Sequence, residues 1–102
     1  MINKIIEESI SLGMPIRCEF VPNRGFVYEA KDFYKSDTVT IEEEDGKLIA
    51  TARYNEKTEI TCPKDIVELN HDWWEYSKDR FDGWVRPTNE WKKLYDMFEL
   101  KY

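Results

Sequence analysis

A chain of 102 residues is long enough for one hydrophobic core and too short for two. Hydrophobic residues at 41% and aromatics at 15% exclude a disordered chain, although 35% of residues are charged. Fifteen Lys and Arg against 21 Asp and Glu leave a formal charge of −6, which argues against direct nucleic-acid binding, since little cationic surface is left to displace counterions from phosphates.

Met1 to Leu12 reads as a helix, with Ile2, Ile5, Ile6 and Ile10 on one face and Glu7 and Glu8 outside. Carboxylates inside that apolar stretch are not those of a signal peptide. Gly13 suits the left-handed position that ends a helix, and Pro15 prevents continuation. The period then changes to two. Ile16, Cys18 and Phe20 alternate with Arg17, Glu19 and Val21; Pro22-Asn23-Arg24-Gly25 turns the chain; and Phe26, Tyr28 and Ala30 resume the alternation. A second hairpin follows, with Val39 and Ile41 before Asp45-Gly46 and Leu48, Ala50, Ala52 and Tyr54 after it. A turn at Asn55-Glu56-Lys57 leads into Thr58, Ile60 and Cys62, for four or five antiparallel strands between residues 16 and 62.

Beyond Pro63, Ile66, Leu69, Trp73 and Tyr76 fit a helical stripe. Asn70-His71-Asp72 are mediocre helix formers, so two readings stand: one helix over 64–78, or a strand Ile66–Leu69 and a helix from near Asp72. Asp82-Gly83 marks a loop. Thr88 is a good N-cap for a last helix presenting Trp91, Leu94, Tyr95 and Phe98 on one face. The fold expected is α+β in a single domain: an N-terminal helix, a four- to five-stranded antiparallel sheet, and C-terminal helices packed on or beside it. The alternative is a small barrel within residues 16–69, whose turns at Ser36-Asp37, Asp45-Gly46 and Pro63-Lys64-Asp65 resemble the strand-turn rhythm of SH3-like domains.

No apolar run approaches the roughly 18 residues of a membrane span, so no membrane association is expected. Two cysteines make no disulfide framework, which points to a reducing cytoplasm. Both are expected at inward strand positions, as small apolar residues. One histidine and two cysteines lie in no metal-ligand spacing, no glycine-rich phosphate loop is present, and no nucleophile stands beside a base in sequence. Neither a metal nor a cofactor is expected, no catalytic residue is assigned, and the chain reads as a binding protein rather than an enzyme.

Two features are candidate contact surfaces. Glu42-Glu43-Glu44-Asp45 is expected at the tip of the second hairpin, in a segment (36–62) that sums to −4. Four like charges do little for a fold and would suit docking into a basic groove, including one made for DNA. In size and composition this resembles small acidic phage and mobile-element proteins that block nucleic-acid-handling host proteins. The second feature is aromatic. Nine of the 15 aromatics fall in the last thirty residues: Trp73, Trp74, Tyr76, Phe81, Trp84, Trp91, Tyr95, Phe98 and Tyr102. Trp73 and Trp74 cannot both face one core, because adjacent helical positions point about 100° apart, so one indole is expected at a rim, where tryptophan serves as a contact anchor. The function expected is non-enzymatic binding of a protein with a basic surface through Glu42, Glu43, Glu44, Asp45, Trp73 and Trp74. The alternative is a small-ligand or enzyme pocket near His71, Trp73 and Trp74.

Overall fold

The computed structural model of the chain describes residues 1–31, 38–52, 56–80 and 86–102. The expectations for Ser36-Asp37, Tyr54, Asn55, Phe81, Asp82-Gly83 and Trp84 lie outside the described residues.

Helix α1 (Lys4–Ser11) starts later than the apolar spacing suggests, because Asn3 caps it, its side chain accepting from the Ile5 N–H at 2.8 Å. It ends as expected. Gly13, at φ +95°, lets the Gly13 N–H reach the Ile10 carbonyl (2.9 Å) and the Met14 N–H reach that of Ser9 (3.1 Å). The buried face is Ile6 and Ser9, with Ile5 partly covered; Ile2 and Ile10, expected inside, are exposed.

Five antiparallel strands follow in simple meander order: β1 (Ile16–Val21), β2 (Gly25–Ala30), β3 (Val39–Glu44), β4 (Lys47–Thr51) and β5 (Lys57–Ile60). At the β3–β4 turn Asp45 and Gly46 both have positive φ (+52° and +78°), the backbone that an Asp-Gly hairpin turn requires. β1 and β5 are the two sheet edges, not paired with each other, so the sheet is open and the barrel alternative does not form. The closing strand that barrel needed does not exist: Ile66–Leu69 lies within α2 (Pro63–Ser77), one continuous helix. Cys62 is its N-cap residue and is exposed, which corrects the inward strand position expected for it. With Pro63 as the first helical residue, the strand has to end earlier, at Ile60.

Along α2 the buried residues are Ile66, Val67, Asn70, Trp74 and Ser77. That stripe is rotated from the one the apolar spacing suggests, and Tyr76 is 49% exposed. Helix α3 (Asn89–Met97) starts at Thr88, whose Oγ1 accepts from the Trp91 N–H, and buries Trp91, Leu94 and Tyr95, with Phe98 packed beside them. Its C-terminus repeats the geometry of α1 without a glycine: Glu99 sits at φ +58° while the Leu100 N–H bonds to the Tyr95 carbonyl (2.8 Å).

All three helices contribute to one core against one face of the sheet. Tyr28, Ala30, Val39, Ile41, Leu48, Ala50 and Ile60 supply the sheet side; Ile6, Ile66, Val67, Trp74, Trp91, Leu94 and Tyr95 supply the helix side. No described helix is long and apolar enough to cross a membrane.

Candidate functional site: the open face of the sheet

The strand registers define two sets of rows. On the covered face, Cys18, Tyr28, Ile41, Ala50 and Thr58 stand in line across all five strands. One residue further along each strand, the side chains point the other way. There the aligned residues are Glu19, Val27, Glu42, Ile49 and Glu59. Strands lie about 4.8 Å apart, so the three carboxylates repeat at about 10 Å, with a branched apolar side chain in each gap. The neighbouring row on this face is Arg17, Glu29, Thr40, Thr51 and Lys57. None of them is in the cluster between sheet and helices, but Val27 is itself buried, at 9% exposure, and Ile49 is half-buried.

The acidic run is divided by the same alternation. Glu42 and Glu44 lie on the open face, paired with Arg24 and with Lys57 (3.2 Å). Glu43 lies on the covered face, where its Oε1 accepts from Asn3 Nδ2 at 3.0 Å. Only Asp45 belongs to the turn itself. The four acids therefore do not project in one direction. Asn3 also donates its backbone N–H to the Tyr28 hydroxyl (2.9 Å), so it ties the start of α1 to both β2 and β3. Burial pushes the Tyr28 phenol up, the Asn3 hydrogen bond pulls it down, and the nearby Glu43 charge adds to the rise. Burial also pushes up the Cys18 thiol, half-covered on the same face.

Trp73 and Trp74 are on the helix side of the molecule. Trp74 is 8% exposed and in the core; Trp73 is half-buried and stacks on Tyr76 with centroids 5.1 Å apart. The Arg80 guanidinium caps the Tyr76 ring at 3.9 Å. The structure does not bring this pair together with Glu42 and Glu44, which lie beyond the sheet. Trp74 Nε1 and Ser77 Oγ are buried with no hydrogen-bond partner among the described residues.

His71 is taken up by the fold. Its Nε2 meets the Lys101 carbonyl and lies 3.7 Å from Glu75, and its ring sits edge-on to Tyr95. Glu75 is held below the usual carboxylate range chiefly by its hydrogen bond with Lys78, at 2.9 Å. Beside it, the Tyr95 hydroxyl donates to Asn70 Oδ1 in the core, which explains a polar residue on the buried face of α2. Among the described residues no three of His, Cys, Asp and Glu converge as metal ligands.

Glu19, Val27, Ile49 and Glu59 were not singled out by sequence reading. The register of β1 on β2 and of β3 on β4 follows from turns legible in the sequence, but joining the two hairpins needs the β2–β3 register, and no local turn signal sets it. Comparison with protein families, with curated proteins and with solved structures finds no match for this chain.

Proposed function

We propose that this protein is a non-enzymatic binding protein whose open sheet face takes a basic macromolecular partner. The observation that carries the reading is the row Glu19, Val27, Glu42, Ile49 and Glu59. Half-buried Ile49 stands between Glu42 and Glu59 and sets an aliphatic surface beside two carboxylates, while Val27, next to Glu19 and Glu42, is buried. A partner segment lying across the strands, with cations at about 10 Å spacing, would meet a carboxylate with each cation and, at Ile49, an aliphatic side chain with a lysine or arginine stem. The ion pair of Glu42 with Arg24 is no obstacle, because exposed pairs contribute little and exchange readily for a partner's charge. The acidic surplus of the whole chain steers such a partner inward. A protein that handles DNA presents a surface of that kind, so blocking one is the role that best fits the charge and size.

The test is calorimetric titration with octalysine at low and moderate salt. The double variant Glu42→Gln with Glu59→Gln is compared with a control removing two exposed helical charges, Glu68→Gln with Glu90→Gln. The sheet variant should weaken binding by about tenfold and flatten its salt dependence, while the control should stay within about twofold. Equal losses in the two variants would reduce the attraction to overall charge and overturn the reading.

A further inference from the structure

We infer that the free edge of β1 pairs with the same edge of a second copy of this chain, antiparallel about a two-fold axis at Cys18, to give a continuous ten-stranded sheet. The inference does not depend on the basic-partner reading. It rests on the backbone, the charges and the apolar side chains of one strand.

The Lys31 N–H bonds to the Pro15 carbonyl at 2.7 Å, so residues 15 and 31 form a hydrogen-bonded pair at the head of the β1–β2 ladder. Along an unbroken antiparallel register such pairs alternate, which turns the backbone groups of Arg17 and Glu19 toward β2 and those of Cys18 and Phe20 toward the free edge. Among the described residues no strand takes up that edge. The Ile16 N–H is taken by the Met14 carbonyl (2.9 Å), but the Ile16 carbonyl and both groups of Cys18 and Phe20 remain at the edge, a template for another strand unless its side chains repel one.

Here the side chains attract one. A two-fold axis at Cys18 sets Arg17 opposite Glu19 of the second copy and Glu19 opposite its Arg17. Two like charges flanking the axis would block self-pairing; opposite charges at equal distances from it complement each other. Within one chain these two side chains are only loosely associated, at 3.9 Å, and both are more than half exposed. The same axis sets Phe20 opposite Ile16. Phe20 is 63% exposed at the rim of the helix side, touching Phe26 edge-on with centroids 5.4 Å apart. Ile16 is half-buried. Pairing would cover both on the side where the core lies.

The opposite edge is less suited. Lys57 and Glu59 also flank a central residue with opposite signs, but Lys57 is already engaged by Glu44 at 3.2 Å. β5 has four residues, and its apolar member, Ile60, is buried.

The test is sedimentation velocity from about 1 to about 300 µM, the range in which a short, polar strand pairing is expected to be half-formed. Wild type should move from monomer toward dimer with concentration. Arg17→Glu and Glu19→Arg should each stay monomeric, because each puts like charges opposite each other, with melting curves unchanged at about 1 µM, where wild type is monomeric too. The double exchange Arg17→Glu with Glu19→Arg should regain the dimer, and an equimolar mixture of the two single variants should form a mixed dimer. A wild type that is monomeric throughout would overturn the inference. So would a dimer indifferent to the single reversals, or a double exchange that fails to restore it.

Discussion

On the covered face Tyr28, Ile41 and Ala50 are sealed beneath Ile6, Ile66 and Trp91; on the open face, one position along the same strands, Glu42 and Ile49 are partly exposed while Val27 between Glu19 and Glu42 is buried. The backbone is shared, so the difference comes from side chains alone. The covered rows are mostly apolar, with Asn3 reaching Tyr28 and Glu43 and with exposed Thr58 at the β5 end, and removing the apolar side chains from water drives folding. One open row alternates acid with branched aliphatic, a pattern that suits extended strands, and the next carries Arg17, Glu29, Thr40, Thr51 and Lys57. In this chain the two-residue period of the strand separates the side chains that hold the fold from those proposed to meet a partner. Mutations can therefore tell them apart.

The largest effect should come from Trp91→Ala, which empties a fully buried site whose indole N–H also bonds to the Lys31 carbonyl at 3.2 Å. A loss of about 3–5 kcal/mol is expected in chemical denaturation, enough to unfold a marginal domain. Removing α3 altogether by truncation before Thr88 should abolish the cooperative transition. On the open face, Ile49→Thr should cost under about 1 kcal/mol. Comparable losses at Trp91 and Ile49 would break the contrast between the two faces.

Tyr95→Phe tests the hydrogen bond between two buried side chains of α2 and α3. It removes the donor to Asn70 without changing ring packing and should cost about 1–3 kcal/mol. A smaller step concerns Asp65, at the third position of α2, whose Oδ2 accepts from the Thr61 N–H (2.8 Å) and hydroxyl (2.7 Å). Burial would raise this carboxyl, but the hydrogen bonds from Thr61 and Cys62 outweigh it and hold it below its ordinary value. A depressed folded pKa stabilises the fold above the unfolded-state pKa, about 3.9, and that stability is lost as pH falls through the lower folded value. Asp65→Ala should cost about 1 kcal/mol at neutral pH and progressively less on acidification, read from melting curves between pH 7 and pH 2. Glu99→Gly should have the opposite sign, a gain of about 0.5–1 kcal/mol, because the residue sits at positive φ. The smallest effect on stability belongs to the open face: Glu42→Gln should stay within about 0.5 kcal/mol despite the Arg24 pair.

Local signals were readable wherever the deciding chemistry is local. Gly13, Asp45-Gly46 and Thr88 each act where expected, because a left-handed helix end, a hairpin turn and an N-cap are settled within a few residues. The order helix, meander, helices follows from periodicity in the same way. What tertiary contacts decide was not readable. Asn70-His71-Asp72 look like a break yet continue α2, since Tyr95 bonds Asn70 and the Lys101 carbonyl holds His71. Ile2 and Ile10 share the apolar spacing of α1 but fall outside the strip that the sheet and α2 cover. Phe20 points to the helix side but stands at an edge strand, where cover runs out. The acidic run shows a different kind of miss. Its period-two split was present in the sequence, and treating four consecutive acids as one tip set aside the alternation that β3 obeys on both sides of them.

Backbone amide shifts followed during titration with octalysine separate binding at the open face from attraction by the general acidity of the chain. Changes should concentrate at Val27, Glu42, Ile49 and Glu59, in line across four strands, with α2 and α3 nearly silent. Changes spread over the acidic residues of the helices, or confined to Asp45 and Gly46 at the turn, would contradict binding at the open face.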